Sequence, residues 1–199
     1  MKKTLVMASL IAVSTSMMAT DVQYFLGAGA ERVNADYKGN VNIPSVGVSS
    51  DISDDMSDTG LLLKAGVILD KTHRISLSHA KFGKEDTDVS VVLGNYDYLI
   101  PVNAQFRLYT GLHIGNASYK ETNTGLTDND TLKMSGLVYG AQVGAIYDIT
   151  KNIEFELGLA YSKYNVDKSF SGTISGVNYN ANIEFEHSTA MFAGLNYKF

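Results

Sequence analysis

An eight-stranded antiparallel up-and-down β-barrel that crosses a membrane, all-β in class, is the fold predicted by the 199-residue sequence. Three observations predict it. Apolar residues recur at every second position in one segment after another, the period that sets them on one face of a strand. The connections between these segments alternate between long and short, as in a meander of antiparallel neighbours. The apolar phase also stays largely uncharged for about 9–11 residues, the length a tilted strand needs to cross a bilayer.

The first element is not a strand. Residues 1–20 read MKKTLVMASLIAVSTSMMAT: Lys2 and Lys3 form a basic flank, Thr4 to Val13 a short apolar run, and small residues lead to Ala19. At 1.5 Å per residue this run is too short to span roughly 30 Å of hydrocarbon, so it reads as an export signal over 1–19 that is cleaved near Ala19. Residues 20–199 then form the barrel domain.

Eight strands follow, at roughly Val22 to Arg32, Thr59 to Leu69, Arg74 to Phe82, Val89 to Ile100, Ala104 to Asn116, Gly136 to Ile149, Ile153 to Lys163 and Ile183 to Phe199. The seventh is the cleanest. Ile153, Phe155, Leu157, Leu159 and Tyr161 share one phase, opposite Glu154, Glu156, Gly158, Ala160 and Ser162. Long polar connections are expected over Asn34–Asp58, Ala117–Lys133 and Asp167–Asn182, and tight turns at 70–73, 101–103 and 148–152. Every tight turn and both chain ends then lie at one end of the barrel, and the long loops at the other.

The second phase decides which face meets water. It is rich in Gly, Ala and Ser with single charged or amide residues (Glu31, Lys64, Arg107, Gln142, Glu154 and Glu156), which suits a narrow interior better than a solvated surface. The apolar phase therefore faces lipid, with Tyr96, Tyr98, Tyr147, Tyr161 and Tyr197 toward its ends as interfacial anchors. Only closure satisfies every backbone group in lipid. An unpaired charge in such an interior costs several kcal/mol, so two clusters are expected: Lys64 with Glu31 or Glu186, and Arg107 with Glu154 or Glu156. A bore this narrow favours a structural plug over a gate for ions.

Composition narrows the remaining choices. A net charge of −5 argues against a nucleic-acid surface, and the absence of Cys rules out disulfides and thiolate metal sites. The acidic stretch SSDISDDMSD, with Asp51, Asp54, Asp55 and Asp58, and TDND at 127–130 match no calcium-loop spacing and read as solvated loops. No cofactor or metal is expected.

The last stretch, MFAGLNYKF, places Met191, Ala193, Leu195, Tyr197 and Phe199 in one apolar phase ending on an aromatic residue. This resembles the assembly signal of bacterial outer-membrane barrels, carried here by Leu195, Tyr197 and Phe199. With the export signal, YFLGAGAE and the alternating loops, the chain resembles the small eight-stranded outer-membrane barrels: the transmembrane domain of outer-membrane protein A and the opacity-protein-like or "porin family" proteins. The resemblance is architectural and covers the whole mature chain. It implies outer-membrane lipid and lipopolysaccharide as surroundings, the barrel assembly machinery as a partner during insertion, and a surface ligand or host receptor that the sequence does not name. No wall-binding domain follows Phe199, so the resemblance does not imply anchoring to the cell wall.

The expected role is non-enzymatic: structural, or adhesin-like contact through the outer loops. A narrow porin-like diffusion channel is the alternative, and a barrel that modifies lipid A is a third. The last would need a Ser–His–acid arrangement facing lipid. His187 lies in the lipid phase while Ser188 points inward, His79 could meet Ser90 if the fourth strand is bulged, and His113 points inward beside Tyr109. No acid is placed to orient any of the three.

Overall fold

The computed structural model describes residues 21–44, 47–83, 87–122, 131–174 and 177–199. The expected export signal and the TDND stretch fall outside these residues. The strands are β1 (Val22–Ile43), β2 (Val48–Leu69), β3 (His73–Phe82), β4 (Thr87–Pro101), β5 (Phe106–Thr122), β6 (Thr131–Asp148), β7 (Ile153–Ile174) and β8 (Val177–Lys198). Each pairs antiparallel with the next, and β8 returns to β1 to close the barrel. The seam runs from Phe25 opposite Lys198 to Asn42 opposite Asn180. Phe199 N donates to Tyr24 O (3.0 Å), so the backbone of the last residue is held too.

The two faces are sorted as alternation requires. Leu157 and Leu195 are 45% and 52% exposed on the outside, whereas Glu156 is 2% exposed within. Tyr24, Tyr96, Tyr98, Tyr147 and Tyr197 are exposed toward the end of the barrel that carries the short turns, and Tyr139 and Tyr161 toward the other. This is the double aromatic girdle of a bilayer-spanning barrel. The interior is less uniformly small and polar than expected. Phe25, Leu62, Ile68, Leu99, Val138, Ile146 and Phe192 are all buried there, because eight strands leave a bore that only side chains can fill.

The tight turns have local causes. Between β2 and β3, Asp70 and Lys71 both take positive φ (48° and 58°), and Thr72 N donates to Leu69 O (3.1 Å). This is the primed hairpin turn whose twist matches the flanking strands. Between β4 and β5 the turn is longer than expected and β5 starts at Phe106 rather than Ala104. Asn103 Oδ1 accepts from both Gln105 N and Phe106 N at 2.9 Å, a side-chain mimic of a backbone turn.

The long connections are the principal correction. Most of Asn34–Asp58 is not loop: β1 and β2 continue as a ladder up to Ile43 opposite Val48. β7 and β8 likewise pair up to Ile174 opposite Val177. Acidic residues Asp51, Asp54, Asp55 and Asp58 therefore lie along β2, on alternating faces, instead of in a loop. The 22 residues of β1 span about 70 Å at roughly 3.3 Å per residue. Even at a tilt near 45°, that rise is about 50 Å, twice the ~25 Å apolar band. β3 ends at Phe82, so its pairing with β2 stops at Lys81 opposite Leu61. Beyond the band, β2, β1, β8 and β7 consequently rise together as a four-stranded slab.

Candidate functional site

Charged side chains in the inner phase meet across the bore near the short-turn end. Arg74 on β3 lies directly opposite Asp97 on β4, and its Nε donates to Asp97 Oδ2 (2.9 Å). Its Nη2 reaches across the barrel to Glu156 Oε1 on β7 (2.8 Å), which also accepts from Lys64 Nζ on β2 (2.9 Å). Arg107 Nη2 on β5 donates to Glu154 Oε2 (2.6 Å) and Asp148 Oδ1 (3.0 Å), and Lys198 Nζ pairs with the same two carboxylates. Asn196 Nδ2 joins the halves, donating to Glu154 and Glu156 at 3.0 Å each, and Gln142 Nε2 donates to Asp97 Oδ1 (2.6 Å).

The network thus balances four cations (Lys64, Arg74, Arg107, Lys198) against four anions (Asp97, Asp148, Glu154, Glu156). Every strand except β1 supplies a member. β1 contributes Phe25 instead, whose ring centroid lies 5.8 Å from the Arg74 guanidinium, while the Tyr109 ring lies 4.7 Å away on β5. Lys64 Nζ also sits 4.1 Å from the Phe192 ring centroid. Such buried charge is tolerated because each group is both paired and hydrogen-bonded. Beside Lys64, Glu156 and Asn196 remains a void of about 10 Å³, room for about one water and no passage for a solute.

Glycines make this crowding possible. A Cβ at Gly111 would overlap the Asp97 carboxylate, and one at Gly158 would overlap the Phe192 ring and the Tyr109 hydroxyl. The small residues of the inner phase mark where a large neighbour lies against the wall.

Of the residues singled out from the sequence, Arg107 and Glu154 are brought together, and Lys64 and Glu156 join the same network. Lys64 pairs with neither Glu31 nor Glu186. Its sheet neighbours are Gly27 and Ser78, and its long side chain instead reaches the opposite wall, a contact that neighbouring-strand reasoning misses. Glu31 faces inward, half-buried, and forms no ion pair among the described residues. Glu186 falls at a register shift in β8, where one extra residue opposite Asp36 and Tyr37 turns it outward. There it accepts from Lys38 Nζ (2.8 Å) in an exposed pair. That bond holds the Glu186 carboxyl below its ordinary range and the Lys38 ammonium above its own. Arg74, Asp97, Asp148 and Lys198 were not singled out. Parity would have found them, since Arg74 shares a phase with Ser76 and Ser78, and Lys198 shares one with Asn196.

The histidines resolve differently from one another. His79 Nε2 and Ser90 Oγ are 2.9 Å apart, without a bulge, because Ser90 is a diagonal neighbour across the β3–β4 ladder. No carboxylate pairs with His79 among the described residues, and Asp88, on the same face, pairs with Lys81 (3.1 Å). A Ser–His–acid arrangement is not assembled there. His113 bonds Ser162 inside the bore (2.9 Å) and Ser188 bonds Tyr164 (2.9 Å). His187, contrary to expectation, does have an acid beside it, its Nε2 2.8 Å from Asp36 directly opposite on β1, but Ser188 is turned to the other face. Leu195, Tyr197 and Phe199 line the outer face, the two rings 5.1 Å apart edge to face.

A closed eight-stranded meander with an apolar outer band and a charged, side-chain-filled bore defines a small outer-membrane barrel. No protein-family model matches the chain, and no curated protein matches it. Solved structures do. The outer membrane protein OprG from Pseudomonas aeruginosa is 16% identical with a TM-score of 0.63, over 89% of this chain and 95% of that one. Outer membrane protein AlkL is 15% identical, TM-score 0.59, over 92% and 93%. Neisserial surface protein A is 16% identical, TM-score 0.53, over 86% and 99%. At these identities the likeness is one of fold.

Proposed function

We propose that the protein is a non-enzymatic outer-membrane surface protein that works by contact through its projecting slab and conducts nothing through its bore. The observation that carries this reading is the pairing of a tall wall with a bore that paired charges fill near its short-turn end. The export signal expected over residues 1–19 supports delivery to the periplasmic side, with the short turns left there and the slab outside the cell. Lipopolysaccharide surrounds the slab in this reading, and the barrel assembly machinery acts on the Leu195–Tyr197–Phe199 strand during insertion.

The slab has the chemistry of a contact surface. Across its outer face run Asp51, Asn40, Asn182 and Ser169, neighbours in the ladder. Asn40 donates to Asp51 (2.6 Å) and Ser169 to Asn182 (3.1 Å). Short polar groups held in a rigid ladder offer donors and acceptors to a ligand at little entropic cost. The acidic residues of β2 guard its unpaired edge against adding a strand from another copy.

Cells displaying the full chain, compared with cells in which the hairpins are shortened by removing residues 38–53 and 168–183, test the reading. Binding of host surfaces or matrix components is expected to fall with the hairpins while the barrel still inserts. Equal binding by both, with insertion verified, overturns it.

A further inference from the structure

Above the charge network the bore changes character. Met56 of β2, Val89 and Val91 of β4, Ala117 and Tyr119 of β5 and Phe185 of β8 line a chamber of about 280 Å³. Its walls are predominantly apolar. Phe185 packs against both Tyr37 and Tyr119, at ring centroid distances of 6.1 and 6.0 Å. Below, the buried side chains of Leu62, Val138 and Phe192 separate it from the charges. It is therefore blind at its lower end.

One side of the chamber is low. Above Leu61, β2 has no ladder partner on β3 among the described residues. Gly83 N donates to Asp58 Oδ2 (2.9 Å) across this side, and Thr59 N donates to Asp58 Oδ1 (2.7 Å). Both oxygens of the one acid in the lining thus accept backbone N–H groups already. Asp54 stands above it in the same phase of β2, accepting from the Tyr37 hydroxyl (3.3 Å).

We propose that this chamber is a binding site for one small, neutral, apolar molecule of about two-ring size, admitted from the outer end beside the low wall. The size follows from the volume: a cavity of about 150 Å³ binds benzene, and this one is nearly twice that. An apolar lining gives water few partners, so an apolar occupant displaces little that is well held. The neutrality follows from the acids on β2. They repel a carboxylate, and Asp58, already bonded twice, needs no cation. The plug and the chamber are then two halves of one design, a floor that seals and a cup that holds.

Naphthalene titrated into the full chain in lipid nanodiscs, followed by NMR of methyl groups, tests this. The methyls of Met56, Val89, Val91 and Ala117 should shift and saturate, while lipid-facing Leu63 and Leu157 should respond only in proportion to the naphthalene dissolved in the bilayer. Val91→Phe and Ala117→Leu fill the chamber from two different strands, and each should weaken the saturable phase about tenfold or more. Folding of each variant is read from its amide spectrum, and either folded variant suffices. Dodecanoate should bind more weakly than naphthalene. Chamber methyls that track the lipid-facing ones without saturating, or undiminished binding in a folded variant, would overturn the site. Dodecanoate binding at least as tightly as naphthalene would overturn the neutral occupant.

Discussion

Glu156 is one of three carboxylates on which two cations converge, and the one that reaches across the bore: Arg74 and Lys64 both donate to the same oxygen and Asn196 to the other. Glu156→Gln keeps the shape and removes the charge, leaving two buried cations with one fewer anion. A loss of about 3–5 kcal/mol in barrel stability is expected, the usual cost of breaking a buried pair from one side. Urea-induced unfolding in lipid vesicles measures it, and a loss under about 1 kcal/mol would mean that water reaches the pair. The sequence makes this residue visible but not its partners. Alternation assigns Glu156 to the inner phase, yet nothing local says that a lysine three strands away crosses the bore to meet it. Neighbouring pairs such as Arg74 and Asp97 are legible from hairpin register; contacts across the lumen depend on the barrel's diameter, which no single strand encodes.

Strands behave differently in their two halves, and this governs what can be read from them. Inside the apolar band one face must be greasy and the other not, so the period of two is sharp, as in IEFELGLAYSK. Above the band the outer phase of β2 is Ser and Asp, and its inner phase mixes Asp54 and Asp58 with Met56, so the contrast fades: SSDISDDMSD reads as a loop although it is the upper part of β2. The bulge in β8 adds a second failure, because a single extra residue inverts the phase of everything beyond it. At this level the exposed Lys38–Glu186 pair ties β1 to β8. Glu186 has its pKa lowered in the folded state, so its contribution is present above the unfolded carboxylate value and is lost as pH falls through the folded one. Amide protection of Lys38 and Glu184, taken relative to the intrinsic exchange rate at each pH, should therefore fall on acidification below the ordinary carboxylate range, and at neutral pH it should be lower in Lys38→Met than in the unaltered chain. Exchange that is indifferent to both changes would remove the pair from any role in holding the slab.

Taken whole, the barrel is a stack of three zones: a balanced ionic floor, an apolar chamber and a polar wall beyond the lipid. The order has a physical logic. Charges are best paired where the bore is fullest, apolar surface is best kept where backbone and lipid exclude water, and polar groups belong where water returns. In planar bilayers the protein should give no steady conductance, because paired charged side chains pack across the floor. A steady conductance abolished by substituting Arg107 would convert the plug into a gate.

The seam between β1 and β8 carries a consequence for biogenesis. It is the join between the earliest and the latest strands to be made, and it also runs through the middle of the projecting slab. The portion furthest from the short turns can thus be joined only after the last strand has been made, however early its other half is in place.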